Sequence, residues 1–379
     1  MKQRLAALVL GCVALSPLAG QAQLAKVTVY GNLNLDFELI KGQQADGTNP
    51  LVNRLSSNSS RLGVRGAEYL GAGQVAIFQI ESSINADTNT GDLGGRETFV
   101  GLQGDWGTFK MGQFLTPYDD ILPIFGNAPT LTTSILSTAA LWAQGPLPKG
   151  QGGFDARLGN SIRYETLPMG GFTGELQYST RDSSGTTGSN SGDHTSELRH
   201  AFVASAGAFY SNGPLDLGVA YEYNYQVRTV DQNDYALSLA AGYDVGSLFQ
   251  SPGIRLGGVY ERLHYGTLAG SLTRDFWGLS ATVPLGGGSL YALWSRASNG
   301  GGSAPDGTGV GFLTKGPDTG SSQWEISYTY PLSLRTLVYA GYARINNQAN
   351  ASYTFNINEY TIAPGAKPSG LAFGLVHFF

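Results

Sequence analysis

Apolar and polar residues alternate with period two over long stretches of the chain. In residues 27–40, VTVYGNLNLDFELI, one side carries Val27, Val29, Gly31, Leu33, Leu35, Phe37 and Leu39, and the other carries Thr28, Tyr30, Asn32, Asn34, Asp36 and Glu38. Successive side chains of a strand leave opposite faces, so the pattern predicts a strand, at about twice the usual length of five or six residues. Leu215, Leu217, Val219, Tyr221, Tyr223 and Tyr225 alternate in the same way with Asp216, Gly218, Ala220, Glu222, Asn224 and Gln226. So do Tyr235, Leu237, Leu239, Ala241, Tyr243 and Val245 with their small or polar neighbours, and Trp324, Ile326, Tyr328 and Tyr330 with theirs. Aromatic residues gather toward the ends of the apolar faces, where the interfacial girdles of a membrane barrel lie.

The connections alternate between short and long. Tight ones fall at 67–73, 168–171, 211–214, 286–288 and 331–334, and long polar ones at 41–53, 85–95, 181–196, 298–320 and 346–367. A soluble sandwich has shorter strands and Greek-key crossovers. Hairpins with short turns at one end and long loops at the other belong to an outer-membrane barrel. Segments of spanning length, roughly 9 to 11 residues or more per tilted crossing, number about sixteen. The predicted fold is all-β: a 16-stranded antiparallel transmembrane β-barrel with short periplasmic turns and long extracellular loops.

Composition agrees with that reading. The 379 residues include 54 Gly, 20 Tyr and 17 Phe, with 13% charged, which favours strands and turns. Mean hydropathy is −0.10, far from that of a helical membrane protein. No window of about 18 to 20 apolar residues predicts a spanning helix. Residues 1–22 read as a secretory signal peptide: Lys2 and Arg4 precede an apolar run from Leu5 to Leu15, and cleavage is expected after Ala22. The rival lipobox reading of Val9, Leu10, Gly11 and Cys12 leaves almost no apolar region before the cysteine. Cleavage leaves residues 23–379 as one barrel without cysteine, and loss of Lys2 and Arg4 takes the net charge from −5 to −7. An acidic chain without a basic block excludes nucleic acid as a partner.

One connection differs from the rest. After GTFKMGQFL, residues 107–115, no alternating strand follows until Arg157. Residues 116–156 contain Ile121, Leu122, Ile124, Phe125, Ile135, Leu136, Leu141 and Trp142, which a solvated loop does not need. So long a connection inside a compact fold usually has a function, and its apolar content predicts packing on the inside of the barrel wall.

Residues 60–81 (SRLGVRGAEYLGAGQVAIFQIE), 95–120 (GRETFVGLQGDWGTFKMGQFLTPYDD) and the terminal VHFF resemble the Gram-negative general porins, particularly the betaproteobacterial type. The resemblance implies a homotrimer of 16-stranded barrels in the outer membrane, each with its third loop folded into the lumen to form an eyelet. It implies passive diffusion of ions and small hydrophilic solutes; no motif in the chain predicts catalysis, a cofactor or a metal site. It also implies contact with outer-membrane lipid and lipopolysaccharide, and a C-terminal Phe379 read by the barrel-assembly machinery.

Arg61 and Arg65 are four apart on a strand and share a face. Lipid accepts arginine only at about 2–4 kcal/mol at mid-depth, so both are expected in the lumen. Arg157 and Arg163 are six apart and likewise share a face with Glu165. The resemblance assigns Arg61, Arg96 and Arg157 to a basic wall cluster, with Arg65 and Lys110 as neighbours. It sets Asp119 and Asp120 of the inward loop across the passage, where opposed charges create a transverse field. The chain departs from the family's R-x-G-R strand ending with Lys110, Met111, Gly112 and Gln113, and has Tyr69 where an acidic residue is usual.

Other functions find less in the sequence. His194, His200, His264 and His377 show no zinc-ligand spacing, and no G-x-S-x-G elbow is present. GTGVGFLTKG, residues 307–316, lacks the Gly-Lys-Ser/Thr of a phosphate loop and reads as a flexible tip. Asp231 and Asp234 lack calcium-loop spacing. The alternative to a diffusion pore is a substrate-selective channel or a loop-based surface binding or adhesion protein, for which the long outer loops leave room.

Overall fold

A computed structural model describes residues 26–131, 133–144, 153–180, 201–228, 231–246, 253–355 and 360–379. Residues 1–22, expected to be a signal peptide, and the 181–196 loop lie outside the described residues. Sixteen antiparallel crossings form the wall. The first is Lys26–Lys41, and the second is built from two segments, Leu51–Ser57 and Arg61–Gly71. Crossings three to eight are Gln74–Asn85, Thr98–Gly104, Gly107–Leu115, Arg157–Glu165, Phe172–Thr180 and Phe202–Asn212. The remaining eight are Leu215–Tyr225, Asn233–Asp244, Arg255–Thr267, Gly270–Leu285, Gly288–Ala297, Ser321–Pro331, Thr336–Asn347 and Ser369–Phe378. The last crossing pairs with the first from Asn32↔Phe378 to Lys41↔Ser369, which closes the sheet and leaves no free edge. No described helix is long and apolar enough to cross a membrane.

The outward face follows the alternation. Val29, Phe37, Leu279, Trp294, Trp324 and Ile326 are all exposed, as residues in contact with lipid must be. The inward face of the first crossing differs from expectation. Asn32, Asn34, Asp36 and Glu38, which the alternation turns toward the lumen and its water, are buried, with Glu38 at 0% exposure. The inward loop covers them.

A break in the second crossing serves that loop. Asn58, Ser59 and Ser60 interrupt the strand, with Ser59 in the left-handed region at φ 55°. The Ser60 hydroxyl takes over part of the ladder by accepting the Asn34 N–H at 2.9 Å. Asn58 is thereby turned inward, where its Oδ1 accepts the Ser134 N–H at 2.8 Å and its Nδ2 donates to Tyr339 Oη at 3.2 Å. Re-aiming a side chain is a recurrent use of strand irregularities.

The apolar core lies between the inward loop and the wall. Ile121, Phe125, Ile135, Leu136, Leu141 and Trp142 are almost fully buried there, as their apolar character predicted, and so is Tyr118. The loop begins with two short helical turns, Asp119–Ile121 and Leu122–Phe125. The Phe125 carbonyl accepts from Ser280 Oγ at 2.5 Å and Tyr291 Oη at 3.1 Å. Glycine in the wall makes this approach possible: a Cβ on Gly257 would lie 2.8 Å from Phe125 Cα, and one on Gly341 2.8 Å from Leu136 Cδ1. Gly257→Val should therefore lift the Phe125 turn off the wall at a cost of about 1–3 kcal/mol. A lower thermal midpoint with an altered single-channel conductance checks it, and an unchanged conductance would refute it.

The outer loops are folded as well. Residues 307–316, expected to be a flexible tip, contain the hairpin Gly309–Val310 with Leu313–Thr314. It is held down because Val310 and Leu313 are buried and Lys315 ion-pairs with Asp306. Farther on, Tyr353 and Phe355 of the last loop turn inward and are fully buried.

Candidate constriction site

The basic wall is assembled from strands whose in-to-out alternation forces charged residues toward the lumen. Arg96 Nε contacts Glu81 Oε1 at 2.6 Å, and Arg61 Nε lies 3.6 Å from Glu81 Oε2. Tyr30 Oη donates to the same carboxylate at 2.9 Å. One acid thus binds two arginines and a tyrosine. Arg65 makes no ion pair among the described residues and stacks over the Tyr30 ring at 4.9 Å. Arg157 makes none either. It lies within the fields of Arg96, Glu97, Asp119 and Glu81. Arg61, Arg96 and Arg157 therefore form one cluster near the outer end of crossing six. Gln113, where the family carries arginine, braces this cluster by donating to the Gly95 and Arg96 carbonyls at 2.8 and 2.9 Å.

Lys110 belongs to a second group, nearer the periplasmic turns. Its Nζ lies 2.5 Å from Glu165 Oε1 and over the Phe99 ring at 5.2 Å. Arg163, opposite Lys110 in the ladder, contacts Asp120 at 2.7 Å, Glu175 at 2.7 Å and Glu165 at 2.8 Å. It also donates to the Leu115 carbonyl at 2.9 Å. Arg163 thus holds the loop root to the wall. The carboxylates Asp119 and Asp120 lie at that root, on the same side as the basic residues and not opposite them. Burial pushes the Asp119 carboxyl well above the ordinary range, with the nearby charges of Asp155 and Asp120 adding to it against the pull of Arg157. Burial likewise raises the Asp155 carboxyl, to about 7.

From Phe125 on crossings eleven to thirteen, the loop runs to the second crossing, which lies nearly opposite in the barrel. Ser134 Oγ there accepts from Arg54 Nη2 at 2.7 Å, and Arg54 Nε lies 2.5 Å from Glu38 Oε2. Between these docks, residues 126–131 are held by their own hydrogen bonds, such as Asn127 Nδ2 to Thr130 Oγ1 at 2.8 Å. Residues 121–143 contain no charged side chain. The free edge of the loop, with Pro123 and Ala128 exposed, is therefore uncharged.

Behind the loop is a buried ionic cluster that the sequence reading missed. Glu261 and Arg274 are fully buried and paired at 2.6 Å. Glu261 Oε1 accepts from Tyr118 Oη and from the Ala143 N–H, both at 2.8 Å. Arg274 Nη1 donates to Tyr353 Oη at 3.2 Å. One ion pair thus joins the inward loop to the outermost loop. The signal was present, since a charge in mid-strand must face inward, but pairing residues thirteen apart requires the register.

Phe379 is 45% exposed and extends the seam. Its N–H and carbonyl each bond Gly31 at 3.1 Å, and its ring crosses where a Cβ on Gly31 would lie 2.6 Å from Cζ.

Comparison with known proteins adds the following. A profile of the Gram-negative porin family matches residues 5–350. Outer membrane porin protein 32 of Delftia acidovorans is 26% identical, over 95% of this chain and 96% of that protein. The major outer membrane protein P.IB of Neisseria meningitidis serogroup B is 28% identical, over 67% of this chain and 70% of its own length. Among solved structures, the anion-selective porin from Comamonas acidovorans superposes with a TM-score of 0.72 at 23% identity, covering 94% of this chain and 100% of that one. The trimer form of OmpT of Vibrio cholerae gives 0.62 at 14% identity, over 94% and 99%.

Proposed function

The chain belongs to the Gram-negative porin family, and we propose that it forms a passive diffusion channel whose constriction favours anions. It is an outer-membrane porin channel, of a family and fold that are non-enzymatic. Small hydrophilic solutes and ions pass between the uncharged edge of the inward loop and the arginine wall. The observation that carries this reading is the complete absence of charge from residues 121–143. The field at the passage is therefore one-sided, set by Arg61, Arg65, Arg96 and Arg157, while Asp120 is held at the loop root by its ion pair with Arg163. Water-filled passages with low-dielectric walls focus such fields. The anion selectivity of the Comamonas acidovorans relative in fold is consistent with it. The net charge of the chain, −5, is a weaker guide, because charges farther away than about 10 Å are screened at 0.1 M salt.

Three channels per assembly follow from the trimeric state found in this class. The outer loops favour diffusion over adhesion, since Leu313, Tyr353 and Phe355 are spent on packing inside the barrel mouth. Planar-bilayer recording tests the reading. It expects conductance steps in groups of three and a reversal potential of anionic sign in a potassium chloride gradient. A cationic sign would overturn the selectivity, and an absence of conductance would overturn the pore.

A further inference from the structure

Glu222 is a buried carboxylate, 1% exposed, with no cation paired to it among the described residues. It lies on the lumenal face of Leu215–Tyr225. The register sets Ser205 directly opposite it, and Gln177 opposite Ser205. Asn224 stands two residues along on the same face. Directly opposed residues of neighbouring strands have Cβ atoms about 4.5–5.5 Å apart, so these four side chains form one patch. All four are at least nine-tenths buried. Each also keeps an oxygen without a hydrogen-bond partner: Gln177 Oε1, Ser205 Oγ, Glu222 Oε2 and Asn224 Oδ1. Gln177 spends its Nε2 on Ser161 Oγ at 3.2 Å and Ser179 Oγ at 3.4 Å, which turns its carbonyl oxygen the other way.

The two ends of the inward loop close the patch from the lumen side. Thr116 Oγ1 donates to the Phe154 carbonyl at 3.1 Å, which brings the two roots together. Thr116, Ser205 and Asn224 stand within hydrogen-bonding range of the Glu222 carboxylate, and Asp155, next to Phe154 at the other root, adds a second negative charge. Buried polar atoms without partners are few in folded proteins, and here four fall in one patch, one of them on the Glu222 carboxylate, with Asp155 as a second acid nearby. A proton satisfies one carboxyl oxygen and leaves the amide oxygens unmet. The patch has no histidine or cysteine, which turns away the softer metals. Carboxylate, amide and hydroxyl oxygens in an irregular, flexible set are ligands for calcium, while magnesium demands near-ideal octahedral geometry.

We propose that this patch is a calcium site that clamps both roots of the inward loop to the barrel wall. Glu222 and Asp155 supply the charge, and Asn224, Gln177, Ser205 and Thr116 supply neutral oxygens. The test uses the full barrel, refolded free of lipopolysaccharide and stripped with a chelator, titrated with calcium chloride by calorimetry. One saturable site per chain is expected, weakened at least tenfold in Glu222→Gln and in Asp155→Asn. Calcium should raise the thermal midpoint of the wild type and leave that of each folded variant unmoved. Should Glu222→Gln fail to fold, Asp155→Asn, altered outside the strands, decides alone. No saturable heat up to millimolar calcium overturns the site. So does undiminished binding in the folded variants, or a midpoint that follows pH and ignores calcium, since the last means a buried proton in place of the ion.

Discussion

Replacing Arg61, Arg96 and Arg157 together with glutamine should remove most of the anion preference of the open channel. A unit charge about 8 Å from a permeating ion contributes about 0.5 kcal/mol in water, and 0.1 M salt reduces this by roughly half. Three such charges act with opposite sign on anion and cation. The difference sums to about 1.4 kcal/mol, a factor of about ten in the permeability ratio. The reversal potential in a tenfold salt gradient measures it directly. Because the loop edge opposite is uncharged, no second face restores the field. The same substitution at Lys110 should move the ratio much less, since it removes one charge and not three, and from a group nearer the periplasmic turns. Equal shifts for Lys110 and for the arginine cluster would show that the two groups are not electrically separate, and would refute the one-sided constriction.

Arg274→Met should destabilise the protein more than any other single substitution considered above. It leaves the Glu261 carboxylate fully buried, with only Tyr118 Oη and the Ala143 N–H against it. Removing one partner of a buried pair costs about 3–5 kcal/mol, whereas removing both is far milder. The thermal midpoint should fall by roughly 5–10 °C, and Glu261→Gln in the same chain should recover much of that loss. Tyr118 stacks on Trp142 at 5.4 Å, and Trp142 Nε1 donates to Ser238 Oγ at 3.2 Å. A disturbed Glu261 therefore also loosens the inward loop, and added open-channel current noise should accompany the lower midpoint. A double variant as unstable as the single one would show that the loss comes from packing around Arg274 and not from an unpaired charge.

How legible the site was in the sequence differs from residue to residue. Arg61 and Arg65 could be placed in the lumen because lipid excludes arginine and alternation fixes the side. The apolar residues from Ile121 to Trp142 could be placed inside the barrel because no solvated loop needs them. The same reasoning could not tell on which side of the passage Asp119 and Asp120 lie. That depends on Arg163, a residue of the following strand, which bonds Asp120 and the Leu115 carbonyl together. Nor could it foresee that Asp36 and Glu38, polar and correctly oriented, would be covered by the loop and not by water. Strand periodicity reports which face a side chain leaves from, not what stands against that face.

The sequence by itself determined the barrel. The period-two pattern, the alternation of short and long connections and the aromatic strand ends are local signals, and each has one physical solution in a membrane: strands paired to closure. It also determined that one loop had to be buried. Only the tertiary structure decided where that loop docks, which charges it leaves open and which it neutralises. Those outcomes rest on register between strands and on contacts between residues far apart in the chain, such as Ser134 with Asn58, Phe125 with Ser280 and Tyr118 with Glu261. Such contacts form only once the wall has closed around the loop.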